Sequence, residues 1–235
     1  MSLLRRNREV SRLESFSDAM IGFAATLLVV TLEVPRTFSA LVASLLGFVP
    51  FALSFAVLVT IWAAHNNLFR RYRLDDPTTI VVNSLMLFTV LFYVYPLKFL
   101  ASGFVYTFFG YGNEVISSSR ELQILFIVYA AGWSVVFGCV AFLYHHASAS
   151  RDRLGLSSLE AFDAVTHGRH YLMFVGAGVL SILLAWGNVG VGIGVPGWAF
   201  VLLGPLCWWN GNARAAVRGV LEAGTAPVAT GVANG

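Results

Sequence analysis

The sequence contains little charge, little cysteine and almost no lysine. Only 11% of its 235 residues are charged, against about 25% in soluble domains, so a water-soluble globular protein is excluded. Cys139 and Cys207 stand alone inside apolar runs, and neither forms a metal-binding motif. The fifteen basic residues are scattered at the ends of these runs without a basic stripe among aromatics, which excludes a nucleic-acid-binding surface.

Apolar residues make up 57% of the chain, and the mean hydropathy is +0.75. Backbone that crosses lipid must be helical or form a closed barrel. Barrel strands alternate in polarity over about ten residues, whereas the apolar runs here are long and unbroken. The sequence therefore predicts an all-α polytopic membrane protein. We expect six transmembrane helices per subunit, over residues 16–34, 39–64, 79–102, 122–144, 171–186 and 191–209.

These spans divide the chain into a cytoplasmic N-terminal segment (1–15), a transmembrane domain (16–211) and a cytoplasmic, disordered tail (212–235). Twelve basic residues then fall on the side of the termini, and three, Arg36, Lys98 and Arg120, fall on the other. The positive-inside rule places both termini in the cytoplasm. One lysine beside fourteen arginines, in a chain rich in Ala, Gly and Val, is compatible with a GC-rich bacterium and hence with the plasma membrane. The polar segment 147–168 is expected to be a connector with a short amphipathic helix.

The first span presents two different faces. At about 100° per residue, one sector about 100° wide contains Phe23, Thr26, Leu27 and Val30. Asp18 lies outside this sector and points into protein, where a carboxylate needs a cation or hydrogen-bond donors. The apolar sector is typical of core packing or lipid contact, but it also suits the wall of a narrow ion path. Arg12 is one candidate partner for Asp18, in an ion pair that fixes the helix entry.

Polar residues elsewhere give little sign of catalysis. Ser17, Asp18 and His65 lie at similar depth, but Ser17 and Asp18 point about 100° apart, which is poor triad geometry. No G-x-S-x-G motif is present, so we do not expect an enzyme, a cofactor or a resident metal. The histidines at the cytoplasmic ends of spans four and five are expected to be solvated, and Asn83 and Ser84 are expected to bond between helices.

Two motifs resemble the TMEM175 family of potassium channels. Residues 12–18, with Arg12, Phe16, Ser17 and Asp18, resemble the R-x-x-x-F-S-D signature at the start of that family's first helix. Residues 62–69, WAAHNNLF, are similar to the W-x-x-H-x-x-L-F ending of its second helix. Asn83, Leu85 and Pro96 match the third helix, so the resemblance covers about residues 12 to 100.

This resemblance implies a homotetramer in which the first helices surround the pore, without the filter loop T-V-G-Y-G. It places a hydrophobic constriction at Phe23, with Leu27 and Val30 as further layers and Thr26 as the threonine implicated in potassium selectivity. A polar packing network beneath the pore helices is implied for Arg12, Phe16, Ser17, Asp18, Trp62 and His65. The constriction residue is usually Ile or Leu, so Phe23 is a departure from the family.

A potassium-preferring cation channel, with lipid and permeant potassium as its partners, is thus the favoured function. Two alternatives remain open from the sequence. One is a proton-coupled secondary transporter with Asp18 and His65 as its relay. The other is a non-conducting membrane scaffold of the same fold, in which the bulky Phe23 closes the path.

Overall fold

The computed structural model describes residues 10–30, 36–110 and 116–210. Within these ranges all regular structure is helical, which confirms the all-α prediction. Residues 1–9 of the N-terminal segment and the predicted tail 212–235 lie outside the described residues. The helices are α1 (Arg12–Val30), α2 (Phe38–Leu46), α3 (Phe48–Tyr72), α4 (Pro77–Phe109), α5 (Ser119–Ala149), α6 (Arg151–Leu154), α7 (Ser158–Trp186) and α8 (Val195–Val201).

Five of the described helices, α1, α3, α4, α5 and α7, are long and apolar enough to cross a bilayer. The predicted second span is divided into α2 and α3. We expected a kink at Pro50, but the break lies before it, at Gly47. Pro50 has no N–H to donate to the carbonyl of Leu46, so α3 begins afresh with its proline in the first turn.

The connector at residues 147–168 differs from the prediction in length. The helix expected within residues 147–168 is continuous with the fifth span, because α7 begins at Ser158. A capping box fixes this start: Ser157 Oγ accepts from the Glu160 N–H, and the Glu160 carboxylate accepts from the Ser157 N–H at 2.9 Å. This box satisfies two N–H groups that a helix start leaves unpaired.

The predicted sixth span is present as short pieces. A 3-10 turn (Val191–Ile193) leads into α8, and residues 203–210 are again helical after an interruption at Leu202. Gly190 and Gly194 both have positive φ, a conformation that glycine adopts without strain. These glycines allow the tight hairpin between α7 and α8 that the Gly-rich sequence predicts.

Small residues bring α5 and α7 into close contact. A Cβ added at Gly178 would clash with Ser134 Oγ and lie 3.0 Å from the carbonyl oxygen of Ala130. Ala164, Gly168 and Ser181 are also buried on α7. Membrane helices approach closely where such small side chains line their contact. The α5–α7 pair is therefore closely packed, and α1, α3 and α4 pack together beside it.

Candidate functional site

The packed face of α1 is made of small and aliphatic side chains. Ser17, Ile21, Ala24 and Leu28 are buried, and they recur every three or four residues, as one side of a helix does. This side lies against α3 and α4. The helix is therefore held in a fixed rotation, which decides where its other side chains point.

The opposite face of α1 is uncovered in the single chain. Phe23 is 54% exposed and Val30 is 71% exposed, while Thr26 is exposed and Leu27 is half-buried. Phe23, Thr26 and Val30 thus lie away from the core, whereas Leu27 packs against its edge, so core packing does not explain most of the predicted sector. Lipid or further copies of the chain remain to cover it.

The Thr26 hydroxyl has a defined orientation. Its Oγ1 donates to the carbonyl oxygen of Gly22 at 3.1 Å. The hydroxyl proton is therefore occupied within the helix, and the oxygen lone pairs stay available on the exposed side. A cation passing this face would meet an acceptor rather than a donor.

A directional chain of hydrogen bonds anchors α1 to its neighbours. Asn83 Nδ2 on α4 donates to Ser17 Oγ at 2.8 Å, and Ser17 Oγ donates to the Leu13 carbonyl at 2.8 Å. His65 Nε2 on α3 lies 3.0 Å from Asn83 Oδ1. Because this amide oxygen can only accept, His65 carries its proton on Nε2. Ser17, His65 and Asn83 are all fully buried.

The second ring nitrogen of His65 makes no such bond among the described residues. Its Nδ1 is buried without a hydrogen-bond partner in the described part of the chain. Phe69 stacks on the imidazole ring, with 4.4 Å between ring centroids. His65 is thus fixed by one hydrogen bond and by packing, which suits a structural role between three helices.

Asp18 finds a donor on α3. Trp62 Nε1 donates to Asp18 Oδ1 at 2.9 Å, so this carboxylate has a donor as expected. The expectation that Asp18 points into protein is wrong for the single chain, where its side chain is exposed. The alternative pairing is wrong: Arg12 makes no ion pair with Asp18 in the structure. Arg12 and Phe16 are exposed. In the family motif at residues 12–18, Ser17 is therefore buried, whereas Arg12 and Phe16 are exposed.

A second polar cluster lies where α4 begins and α5 ends. Asp76 accepts hydrogen bonds from Thr79 Oγ1 at 2.6 Å and from an Arg153 NH2 group at 3.2 Å. His146 Nε2 lies 2.9 Å from the other carboxylate oxygen. Burial opposes ionisation of Asp76, but these three partners outweigh it and hold the pKa of the carboxyl well below its usual range. The expectation that His146 is solvated is wrong.

The sequence identifies the motif residues, but it did not indicate the partners of Asn83 or the role of Asp76. Asn83, which matches the family's third helix, was expected to bond between helices, yet nothing in the sequence indicated that it joins Ser17 to His65. Ser84, its neighbour, is exposed. Asp76 was missed altogether, although an Asp directly before a Pro-initiated helix is a common helix start.

Comparisons with known proteins extend beyond the two motifs. A profile of the family described as "Endosomal/lysosomal potassium channel TMEM175" matches residues 12–93. A protein of Marivirga tractuosa named "Potassium channel" is 35% identical over 195 residues, which span 78% of this chain and 79% of that protein. A protein of Chamaesiphon minutus, also named as a potassium channel, is 27% identical over 198 residues, spanning 78% and 89%.

Two crystal structures share the fold. A threonine-to-alanine variant of the potassium channel MtTMEM175 superposes with a TM-score of 0.76 and 31% identity, over 92% of this chain and 100% of that one. A structure from Chamaesiphon minutus, described as a lysosomal potassium-selective channel TMEM175 homolog, gives 0.53 and 25%, over 85% and 96%. The similarity thus continues past residue 100, where the sequence motifs end. The chain belongs to the TMEM175 family of potassium channels, which are not enzymes.

Proposed function

We propose that this protein is a potassium-preferring cation channel, in which α1 helices from four identical chains surround one axis. The observation that carries this proposal is the uncovered face of α1. Phe23, Thr26 and Val30 are exposed on the side opposite the anchored one. One chain contributes one such helix, so a closed pore requires several copies.

The residues of this face supply a hydrophobic neck. An apolar constriction gates by dewetting, and an ion that crosses it sheds part of its hydration shell. Potassium holds its water less tightly than sodium, so the neck favours potassium. The Thr26 lone pairs offer partial compensation for the lost water, because the hydroxyl proton is donated to Gly22. Phe23 is the narrowest layer, and rotation of its ring opens the path.

The proposed orientation places both termini in the cytoplasm of a cell whose plasma membrane holds the channel. The six predicted spans put twelve of the fifteen basic residues on that side, as the positive-inside rule requires. The Asp76 cluster then faces the cytoplasm, and the start of α5 faces outward. Relatives named as potassium channels support conduction of this ion.

Potassium flux into liposomes tests the pore assignment. Phe23→Ala widens the neck and should raise the flux. Phe142→Ala is the matched control, because Phe142 is an exposed phenylalanine on α5. The flux of Phe142→Ala should equal that of the wild type. In a separate measurement, the mass of the wild-type assembly in detergent should equal that of four chains.

The alternatives predict different results. A proton-coupled transporter gives saturable flux that is lost in Asp18→Asn, whereas a scaffold gives background flux in every variant. Equal effects of Phe23→Ala and Phe142→Ala on potassium flux would refute the assignment of α1 as the pore-lining helix.

A further inference from the structure

A cavity of about 540 Å³ opens where α5 begins and α7 ends. Its volume falls within the range of about 300–1,000 Å³ that is typical of ligand pockets. Among the described residues its lining includes Arg120, Gln123, Ile124, Ile127, Trp186 and Asn188. It belongs to neither α1 nor the buried network, so the proposed pore makes no use of it.

The walls of this cavity are fixed by a side chain that bridges the two helices. Gln123 Nε2 donates to the Ala185 carbonyl at 2.7 Å and lies 3.4 Å from the Trp186 carbonyl. These carbonyls belong to the last turn of α7, and that of Ala185 also accepts from the Asn188 N–H at 3.0 Å, so Gln123 joins α5 to the turn that closes α7. Ile127 packs beneath, against the buried Phe126 and Ala185. The cavity is therefore built into the fold.

The lining changes from polar to apolar with depth. Arg120 and Gln123 lie in the first turns of α5, and Asn188 lies in the turn after α7. Ile124 and Ile127 follow one and two turns deeper along α5. This order matches an amphiphile, with its head at the helix ends and its chain along the apolar wall.

The charge at the mouth is positive. Arg120 forms no ion pair with any residue that the structure describes. The neighbouring carboxylate of Glu121 is turned to the backbone, where its Oε2 accepts from the Ser117 N–H at 2.9 Å. A guanidinium binds phosphate oxygens through strong, charge-assisted hydrogen bonds. Trp186, 77% exposed, is the kind of side chain that lies at headgroup level.

We propose that this cavity binds a phospholipid of the outer leaflet. Arg120 contacts the phosphate, Gln123 and Asn188 flank the headgroup, and an acyl chain lies along Ile124 and Ile127. The assignment to the outer leaflet follows from the proposed orientation, whereas the lipid site itself does not depend on conduction.

Native mass spectrometry of the purified protein tests this proposal, with dioleoylphosphatidylglycerol as the probe. Arg120→Gln should weaken lipid retention about tenfold, as loss of a charge-assisted bond does. Arg36→Gln is the matched control, because it removes an exposed arginine on the same membrane face, outside the cavity. Its retention should equal that of the wild type. Ile124→Trp should also lower retention, by filling the apolar part.

Two competitors separate the possible sources of the ligand chemistry. Dioleoylglycerol, which has the same chains without phosphate, should bind much more weakly, and inorganic phosphate at millimolar concentration should not displace the phospholipid. Equal retention in Arg120→Gln and Arg36→Gln would overturn the proposal, as would displacement by inorganic phosphate. If Arg120→Gln does not yield monodisperse protein, Ile124→Trp decides: unchanged retention refutes the site, and reduced retention supports it.

Discussion

The hydrogen bond between Asn83 and Ser17 should hold α1 in the rotation that exposes its apolar sector. We predict that Ser17→Ala and Asn83→Ala destabilise the protein in a coupled way. The two side chains meet at 2.8 Å and are fully buried. Because each variant removes the same bond, the double variant should cost less than the sum of the single ones.

The size of each effect follows from the bonds that are lost. Hydrogen bonds between membrane helices contribute about 0.6 kcal/mol on average and at most about 1.7 kcal/mol, so we expect a coupling energy of about 1 kcal/mol. Asn83→Ala also removes the acceptor of His65 Nε2. An unsatisfied buried donor costs about 1–3 kcal/mol. Asn83→Ala should therefore cost about 2–4 kcal/mol, and Ser17→Ala, which leaves the buried Asn83 Nδ2 without its acceptor, about 1–3 kcal/mol.

Equilibrium unfolding in mixed micelles, followed by tryptophan fluorescence, measures these energies. Ser54→Ala is the matched control, because Ser54 is equally buried but donates only to Pro50 of its own helix, at 2.8 Å. It should show no coupling to Asn83→Ala. Additive effects of Ser17→Ala and Asn83→Ala would refute the proposed anchor, since the bond would then contribute nothing measurable.

Three further predictions concern other contacts. Asp76→Asn should lower the melting temperature at pH 7, and the difference from the wild type should shrink below about pH 4. The pKa of Asp76 is lower in the folded state than in the unfolded state, so its ionised carboxylate stabilises the wild type above the unfolded-state pKa. This stabilisation is lost as the pH falls towards the folded-state pKa. Gly178→Ala should destabilise by about 1–3 kcal/mol through overpacking, whereas Gly176→Ala, with open space around it, should be neutral or stabilising. Trp62→Phe removes the hydrogen bond to Asp18 and should lower the melting temperature of the assembled protein by a few degrees in a thermal scan. An unchanged melting temperature would show that this bond does not stabilise the protein.

The helical class and most spans follow from the sequence because lipid permits few alternatives. A run of about 20 apolar residues has to be helical in a bilayer, and the period of α1 fixes which side chains share a face. Phe23 and Leu28 fall on opposite sides by this geometry alone. The side that packs is not fixed in this way, because Phe23, Leu27 and Leu28 are all apolar. Burial of Ser17 beside Asn83 decides it, and that contact joins residues far apart in the chain.

Interruptions and long-range polar pairs were the hardest features to predict. Pro50 marked a disturbance, but its position in the first turn of α3 depended on the break at Gly47. His146 looked like a solvated residue at a helix end, because its partner Asp76 lies seventy positions away. The sequence shows the chemistry of such a residue and of its neighbours, but its partner is known only once the fold brings distant residues together.

The central claim is that one face of α1 lines the ion path. Cysteine accessibility during potassium current recording tests it most directly, in a background with Cys139→Ala and Cys207→Ala. Val29 and Val30 are neighbours and both exposed, at 49% and 71%, but only Val30 lies in the apolar sector with Phe23. We predict that silver ions block the current of Val30→Cys and leave that of Val29→Cys unchanged. Block of both variants to the same extent, or of Val29→Cys alone, would contradict the account.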